Sequence, residues 1–121
     1  MFIVLIDDEE AVHESVSLGL MGTGYNLKTF YNPIEGLNYL LKGQEKPELI
    51  LLDLMMPEMN GVDVLIKIKE DINLKDIPVI IQTGIGNKED INKCLHLGAH
   101  SCLHKPYSIK ALLELIENAL A

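Results

Sequence analysis

The amino-acid sequence predicts an α/β fold, a doubly wound sheet of five parallel strands with helices on both faces. Three observations carry that prediction. Phe2–Ile6 and Leu49–Leu52 are unbroken apolar runs, as expected of strands covered on both faces of a sheet. Strand-like and helix-like stretches alternate along the chain, five of each, which calls for parallel strands joined by right-handed crossovers. The apolar strand runs also give way to polar residues with chemistry, Asp7 and Asp8, Asp53, Thr83 and Lys105, where the chain leaves the sheet. In an open α/β sheet that rim is where ligands bind.

Composition supports one globular unit over residues 1–121, with 48% apolar residues and a mean hydropathy of +0.18. No apolar run is long enough to span a bilayer, and no charged-then-apolar leader precedes the first strand, so no membrane association is expected. A net charge of −8 argues against a nucleic-acid surface and suits a site that expects a divalent cation. Cys94 and Cys102 have neither metal-knuckle nor redox-motif spacing, so a reduced, cytoplasmic setting is expected.

The elements follow in order. After Phe2–Ile6, the run Asp7-Asp8-Glu9-Glu10 enters a helix whose dipole favours carboxylates; that accounts for Glu9 and Glu10 better than for the two aspartates at the strand end. Val12, Val16 and Leu20, with Ala11 and Leu18 beside them, form an apolar helical stripe that Gly22 and Gly24 close. Leu27–Tyr31 alternates in polarity and reads as a more exposed strand near an edge. Asn32-Pro33 opens a helix with Leu37, Leu40 and Leu41 inward, ended by Gly43. Lys46-Pro47 leads into the central run, which ends on Asp53; Met55, Met56 and Pro57 delay the next helix, and Asn60-Gly61 supplies a turn.

Val62, Leu65, Ile66 and Ile68 make the next helical face, opposite Asp63, Lys67 and Glu70. Pro78–Thr83 is a buried strand followed by Gly84-Ile85-Gly86. Asn87 with Asp90 reads as an N-cap pair for a helix through Leu97, stopped by Gly98. Ser101–His104 is a short strand ending in Lys105-Pro106. Ser108 caps a last helix with Leu112, Leu113, Leu115, Ile116 and Leu120 inward.

Three carboxylates gathered at one rim repel one another, and a divalent cation relieves that. Magnesium is commonly held by one or two carboxylates, waters and a phosphate oxygen. Lys105 adds a positive charge suited to phosphate, and Thr83 adds a hydroxyl donor. A carboxylate so placed can attack phosphorus and form an acyl phosphate; the transfer needs mainly positioning and charge neutralisation.

The order Asp-Asp, Asp-x-x-x-Pro-x-x-x-Gly, Thr-Gly, Lys-Pro, from Phe2 to about Leu120, resembles the receiver domain of two-component response regulators. The spacing of Asp53, Thr83 and Lys105 matches chemotaxis-type regulators without a gap. The resemblance implies a flavodoxin-like (βα)5 fold with strand order 2-1-3-4-5 and a phospho-accepting signalling switch. It implies Asp53 as phosphoacceptor, Asp8 and Asp53 as direct Mg2+ ligands with the Met55 backbone carbonyl, and Asp7 acting through water. Thr83 and Lys105 would contact the phosphoryl group, and the Lys105-Pro106 bond would be cis. The implied donor is a sensor histidine kinase or histidine phosphotransfer protein, and the domain would catalyse only its own phosphorylation and dephosphorylation. An output domain or homodimer would use the last helix-strand-helix face.

Three departures or neutral positions bear on behaviour. Met55 and Ile85 stand where related receivers tune hydrolysis, and both are apolar, so a long-lived phosphate is expected. Cys102 stands where receivers usually carry a Tyr or Phe that turns inward, so the switch should run instead through Thr83 and the loop after it.

A haloacid-dehalogenase-type phosphatase would want an acid two residues after the nucleophile, where Met55 stands. A flavin or nucleotide site would want a Gly- or Ser/Thr-rich loop after the first strand, not four acids. A degenerate receiver that only docks usually lacks a site residue, and none is missing. His100, Cys102 and His104 share one strand face, with Cys94 and His96 just before, but adjacent same-face positions lie roughly 6.6 Å apart. They read as partly exposed side chains. His13 reads as a residue of the first helix among charged neighbours, with nothing to mark it as a phosphorelay donor.

Overall fold

The computed structural model describes residues 1–84 and 88–121. The first half holds β1 (Phe2–Ile6), α1 (Glu10–Leu20), β2 (Asn26–Phe30), α2 (Pro33–Lys42) and β3 (Leu49–Asp53). The second half holds α3 (Gly61–Glu70), β4 (Val79–Thr83), α4 (Lys88–His96), β5 (Ser101–His104) and α5 (Ile109–Leu120). The strands form one parallel sheet in the order β2-β1-β3-β4-β5, as expected.

Period-two alternation divides the core. Val4, Ile6, Ile50, Leu52, Val79 and Ile81 face one layer, packed with Leu37 and Leu40 of α2, Leu65 and Ile68 of α3 and Cys94 of α4. Ile3, Leu5, Leu49, Leu51 and Ile80 face the other, with Val16 and Leu20 of α1 and Leu112 and Ile116 of α5. Every residue of β3 is buried because β1 and β4 flank it and helices cover both faces.

Where the structure differs from the sequence-based expectation, geometry supplies the reason. β2 begins and ends one residue earlier, because Asn26 N–H donates to the Met1 carbonyl and Asp7 N–H to that of Phe30, which sets the register with β1. Leu18 is exposed; two residues from both Val16 and Leu20, it falls on the opposite side of the helix. Leu41 is 37% exposed, whereas Val64, outside the expected stripe, is fully buried because α3 packs between α2 and α4 and so needs a wider apolar arc. Asn60 is the N-cap of α3 rather than part of a separate turn, its Oδ1 accepting from Val62 N–H at 2.7 Å. Asn32 caps α2 and Ser108 caps α5 as expected. The Ile85-Gly86 part of the loop and the Asn87 cap lie outside the described residues.

Candidate functional site

β1, β3 and β5 deliver the charged residues to one rim. Asp7 directly follows β1 and is fully buried. Asp53 is the last residue of β3 and only 2% exposed; on the period-two pattern it follows Leu49 and Leu51 on the α1/α5 face. Its Oδ1 accepts from Met55 N–H at 3.2 Å. The loop after it is held tightly. Gly61 N–H donates to the Leu54 carbonyl at 3.0 Å, and a Cβ on Gly61 would stand 2.3 Å from the Asp53 carbonyl oxygen. Only glycine lets α3 begin this close to the acceptor strand. Glu58 takes a left-handed conformation (φ 69°), and its carboxylate accepts from Asn32 Nδ2 at 2.8 Å, which ties the loop to the start of α2. Beyond β5, Lys105 N–H donates to the Thr83 carbonyl at 2.7 Å, and the Lys105-Pro106 bond is cis, as the resemblance implied.

The side chains meet around one ammonium. Lys105 Nζ lies 2.8 Å from Asp7 Oδ2, 3.0 Å from Glu9 Oε1 and 3.5 Å from Asp53 Oδ2. The Asp7 contact is an ion pair set off the line of a good hydrogen bond, so Oδ2 keeps unused accepting capacity. Asp7, Asp8, Glu9 and Asp53 each place a carboxylate oxygen within 4.8 Å of the others. Burial, and then the charge of Asp7, push the Asp53 carboxyl up to about 7; the Lys105 ammonium opposes this without cancelling it. Burial by itself would lower Lys105, but Asp7, Glu9 and Asp53 hold it above the usual lysine range. Thr83 is fully buried at the end of β4, and its hydroxyl has no hydrogen-bond partner among the described residues. Met55 is 59% exposed and, with Glu9, Val12, Lys105 and Tyr107, lines a cavity of about 540 Å³ over Asp53.

Asp7, Asp8, Asp53 and Lys105 therefore come together as expected from the sequence, and Thr83 joins them through its carbonyl bond to the lysine. The sequence reading missed Glu9, assigned there to the helix dipole alone. Its adjacency to the aspartate pair was the only available signal, and it points to the lysine because α1 starts one residue later. Gln82 and Tyr107 were also missed: the phenol donates to the buried Gln82 amide oxygen at 3.2 Å beneath the site. His13 lies among charged neighbours in sequence, as read, but its side chain is buried. It is 5% exposed, because α1 turns that side chain back over the end of β1. Cys94, read as partly exposed, is fully buried in the core, which with Asp90 nearby pushes its thiol up to about 11. The only metal-capable cluster among the described residues is the carboxylate one, so the histidines and cysteines around β5 form none.

That cluster suits a hard cation. Its donors are all oxygens, the set that magnesium, calcium and manganese prefer, and four carboxylates stand against a single ammonium.

A family model described as the response regulator receiver domain matches residues 3–117. Over 118 residues the chain is 33% identical to the "DNA-binding dual master transcriptional regulator RpaA" of Synechocystis sp., covering 98% of this chain and 48% of that protein. It is 36% identical over 120 residues to the "Transcriptional regulatory protein CpxR homolog" of Haemophilus influenzae, covering 98% of this chain and 49% of the relative. The chain thus spans about half the length of these curated relatives. Among solved structures, a CheY-like response regulator receiver domain protein from Methanospirillum hungatei superposes with a TM-score of 0.89 at 28% identity, covering 98% of this chain and 92% of that one.

Proposed function

The chain belongs to the response regulator receiver family, the phospho-accepting switch domain of two-component signalling, and from that premise we propose that Asp53 takes the phosphoryl group. The observation that carries the assignment is the position of its carboxylate: nearly buried, at the centre of the sheet rim, 3.5 Å from the Lys105 ammonium. In the transfer, an Asp53 oxygen attacks phosphorus in line with the leaving group. A P–O bond forms as the P–N bond of a donor phosphohistidine breaks, and the departing imidazole keeps the electron pair and picks up a proton. Lys105 stays charged throughout and balances charge on the phosphoryl oxygens. The Thr83 hydroxyl, without a hydrogen-bond partner among the described residues, is the donor available to one of those oxygens.

Asp8, Asp53 and the Met55 carbonyl would hold Mg2+ directly, with Asp7 acting through water. The ion, when bound, neutralises the carboxylates and lets an anionic phosphoryl group approach. Residues 1–121 act as a single receiver unit that turns over only its own phosphate. Its donors are a sensor histidine kinase or a histidine phosphotransfer protein, and α4, β5 and α5 form the face for an output domain or a second copy. A phosphatase of the haloacid-dehalogenase type would need an acid at Met55, whose thioether cannot serve.

With Mg2+ and acetyl phosphate, intact mass should rise by one phosphoryl group in the wild type and stay unchanged in Asp53→Asn. Stoichiometric labelling of the Asn variant at another residue would overturn the assignment, and labelling at full rate in the presence of a chelator would overturn the role given to the ion.

A further inference from the structure

His13 has no part in the transfer, yet it touches the site. The carbonyl of Asp7 stands just past the end of β1, and it belongs to a fully buried residue. A buried carbonyl without a donor costs about 1–3 kcal/mol. Its donor is the imidazole of His13, whose Nε2 lies 2.6 Å away. Because a carbonyl only accepts, Nε2 carries the hydrogen, while Nδ1 has no hydrogen-bond partner among the described residues. The ring is fixed in turn. It stacks on Tyr31 with centroids 3.9 Å apart and planes 4° from parallel. Tyr31 directly follows Phe30, whose carbonyl accepts the Asp7 N–H at 3.0 Å.

The Asp7 backbone is thus gripped on both sides of its Cα: its N–H by the end of β2, its carbonyl by an imidazole braced on the residue after that strand. Asp7 Oδ1 also accepts from Glu9 N–H at 2.8 Å, so the backbone path at this one residue aims two of the four clustered carboxylates. We propose that His13 is a positioning residue of the phosphoacceptor site, which sets the Asp7 and Glu9 carboxylates for cation binding through its Nε2–H bond to the Asp7 carbonyl. The proposal rests on the site reading above, and it gives an α1 residue control over affinity for the ion without contact with the ion or the phosphoryl group. Outer-shell partners of this kind commonly govern metal affinity by about ten- to a hundredfold.

Two substitutions separate the hydrogen bond from packing. His13→Phe keeps an aromatic ring to stack on Tyr31 and removes the N–H, whereas His13→Gln removes the ring and places an amide N–H at similar reach. Mg2+ titration of the intact chain, by calorimetry or amide shifts, should show a dissociation constant about tenfold weaker for His13→Phe. His13→Gln should lie closer to wild type, even where its thermal midpoint is the lower of the two. Equal affinities for wild type and His13→Phe would overturn the proposal, as would a Gln variant as impaired as the Phe variant. Long-range 15N–1H spectra of the wild type test the same bond without a substitution: a hydrogen on Nε2 is expected, and an Nδ1–H tautomer would overturn it. A wild type that takes up no Mg2+ would overturn the site reading itself, and this proposal with it.

Discussion

Replacing Asp53 by asparagine should stabilise the metal-free protein at neutral pH, although it removes the residue on which the function depends. The carboxyl is raised from its ordinary 3.8 to about 7, because burial and the charge of Asp7 outweigh the attraction of Lys105. Between those two values the folded chain holds a proton that the unfolded chain has released. Stability therefore falls as pH climbs through that window and stays reduced above it, where the carboxylate is charged in both states. The span from 3.8 to about 7 corresponds to at most about 4 kcal/mol. Water at the open rim screens part of this, and about 2 kcal/mol is the expected effect. For a chain of 121 residues that is roughly 8 °C in thermal midpoint. Melting curves of wild type and Asp53→Asn should coincide near pH 3.5 and diverge toward pH 8, with the variant higher, in chelator. Saturating Mg2+ should then raise the wild type more than the variant and close the gap. A variant that is no more stable than wild type at pH 8, or a gap independent of pH, would refute the account of the site as an uncompensated buried charge.

Further outcomes follow from the same geometry. Gly61→Ala places a Cβ 2.3 Å from the Asp53 carbonyl oxygen and 2.6 Å from Leu54 Cα, so urea denaturation should show a loss of about 2–3 kcal/mol and acetyl phosphate labelling should slow. Met55→Asn puts a polar group on the wall of the cavity over Asp53, where it can orient water; release of phosphate from the labelled protein should accelerate severalfold, and unchanged decay would count against a water route past that side chain. The partner position Ile85 lies outside the described residues. Cys102 is half-buried against the core and too small to act as a swinging ring, so beryllofluoride should perturb amide shifts around Thr83 and Gly84 more than those of 101–104; the reverse order would make the thiol position the rotor.

What was legible in the sequence came from periodicities and end signals that act over a few residues. The all-apolar runs of β1 and β3, the Gly and Asn punctuation and the alternation of elements sufficed for a parallel doubly wound sheet, because burial on two faces leaves no polar position inside a strand. Asp7, Asp53, Thr83 and Lys105 were legible for a related reason: a polar residue at the end of such a run must stand at the rim, and parallel strands share one rim. Tertiary structure alone decided which of the rim residues touch. Lys105 reaches Glu9 across 96 positions of chain, and the Gln82–Tyr107 bond joins β4 to the segment before α5. His13 shows the limit most plainly. On its helix it sits among glutamates and reads only as a residue with charged neighbours, but the packing of α1 brings it to the end of β1, which no local pattern encodes. The buried Asp7 carbonyl there needs a donor, and the nearest side chain able to supply one is drawn inward.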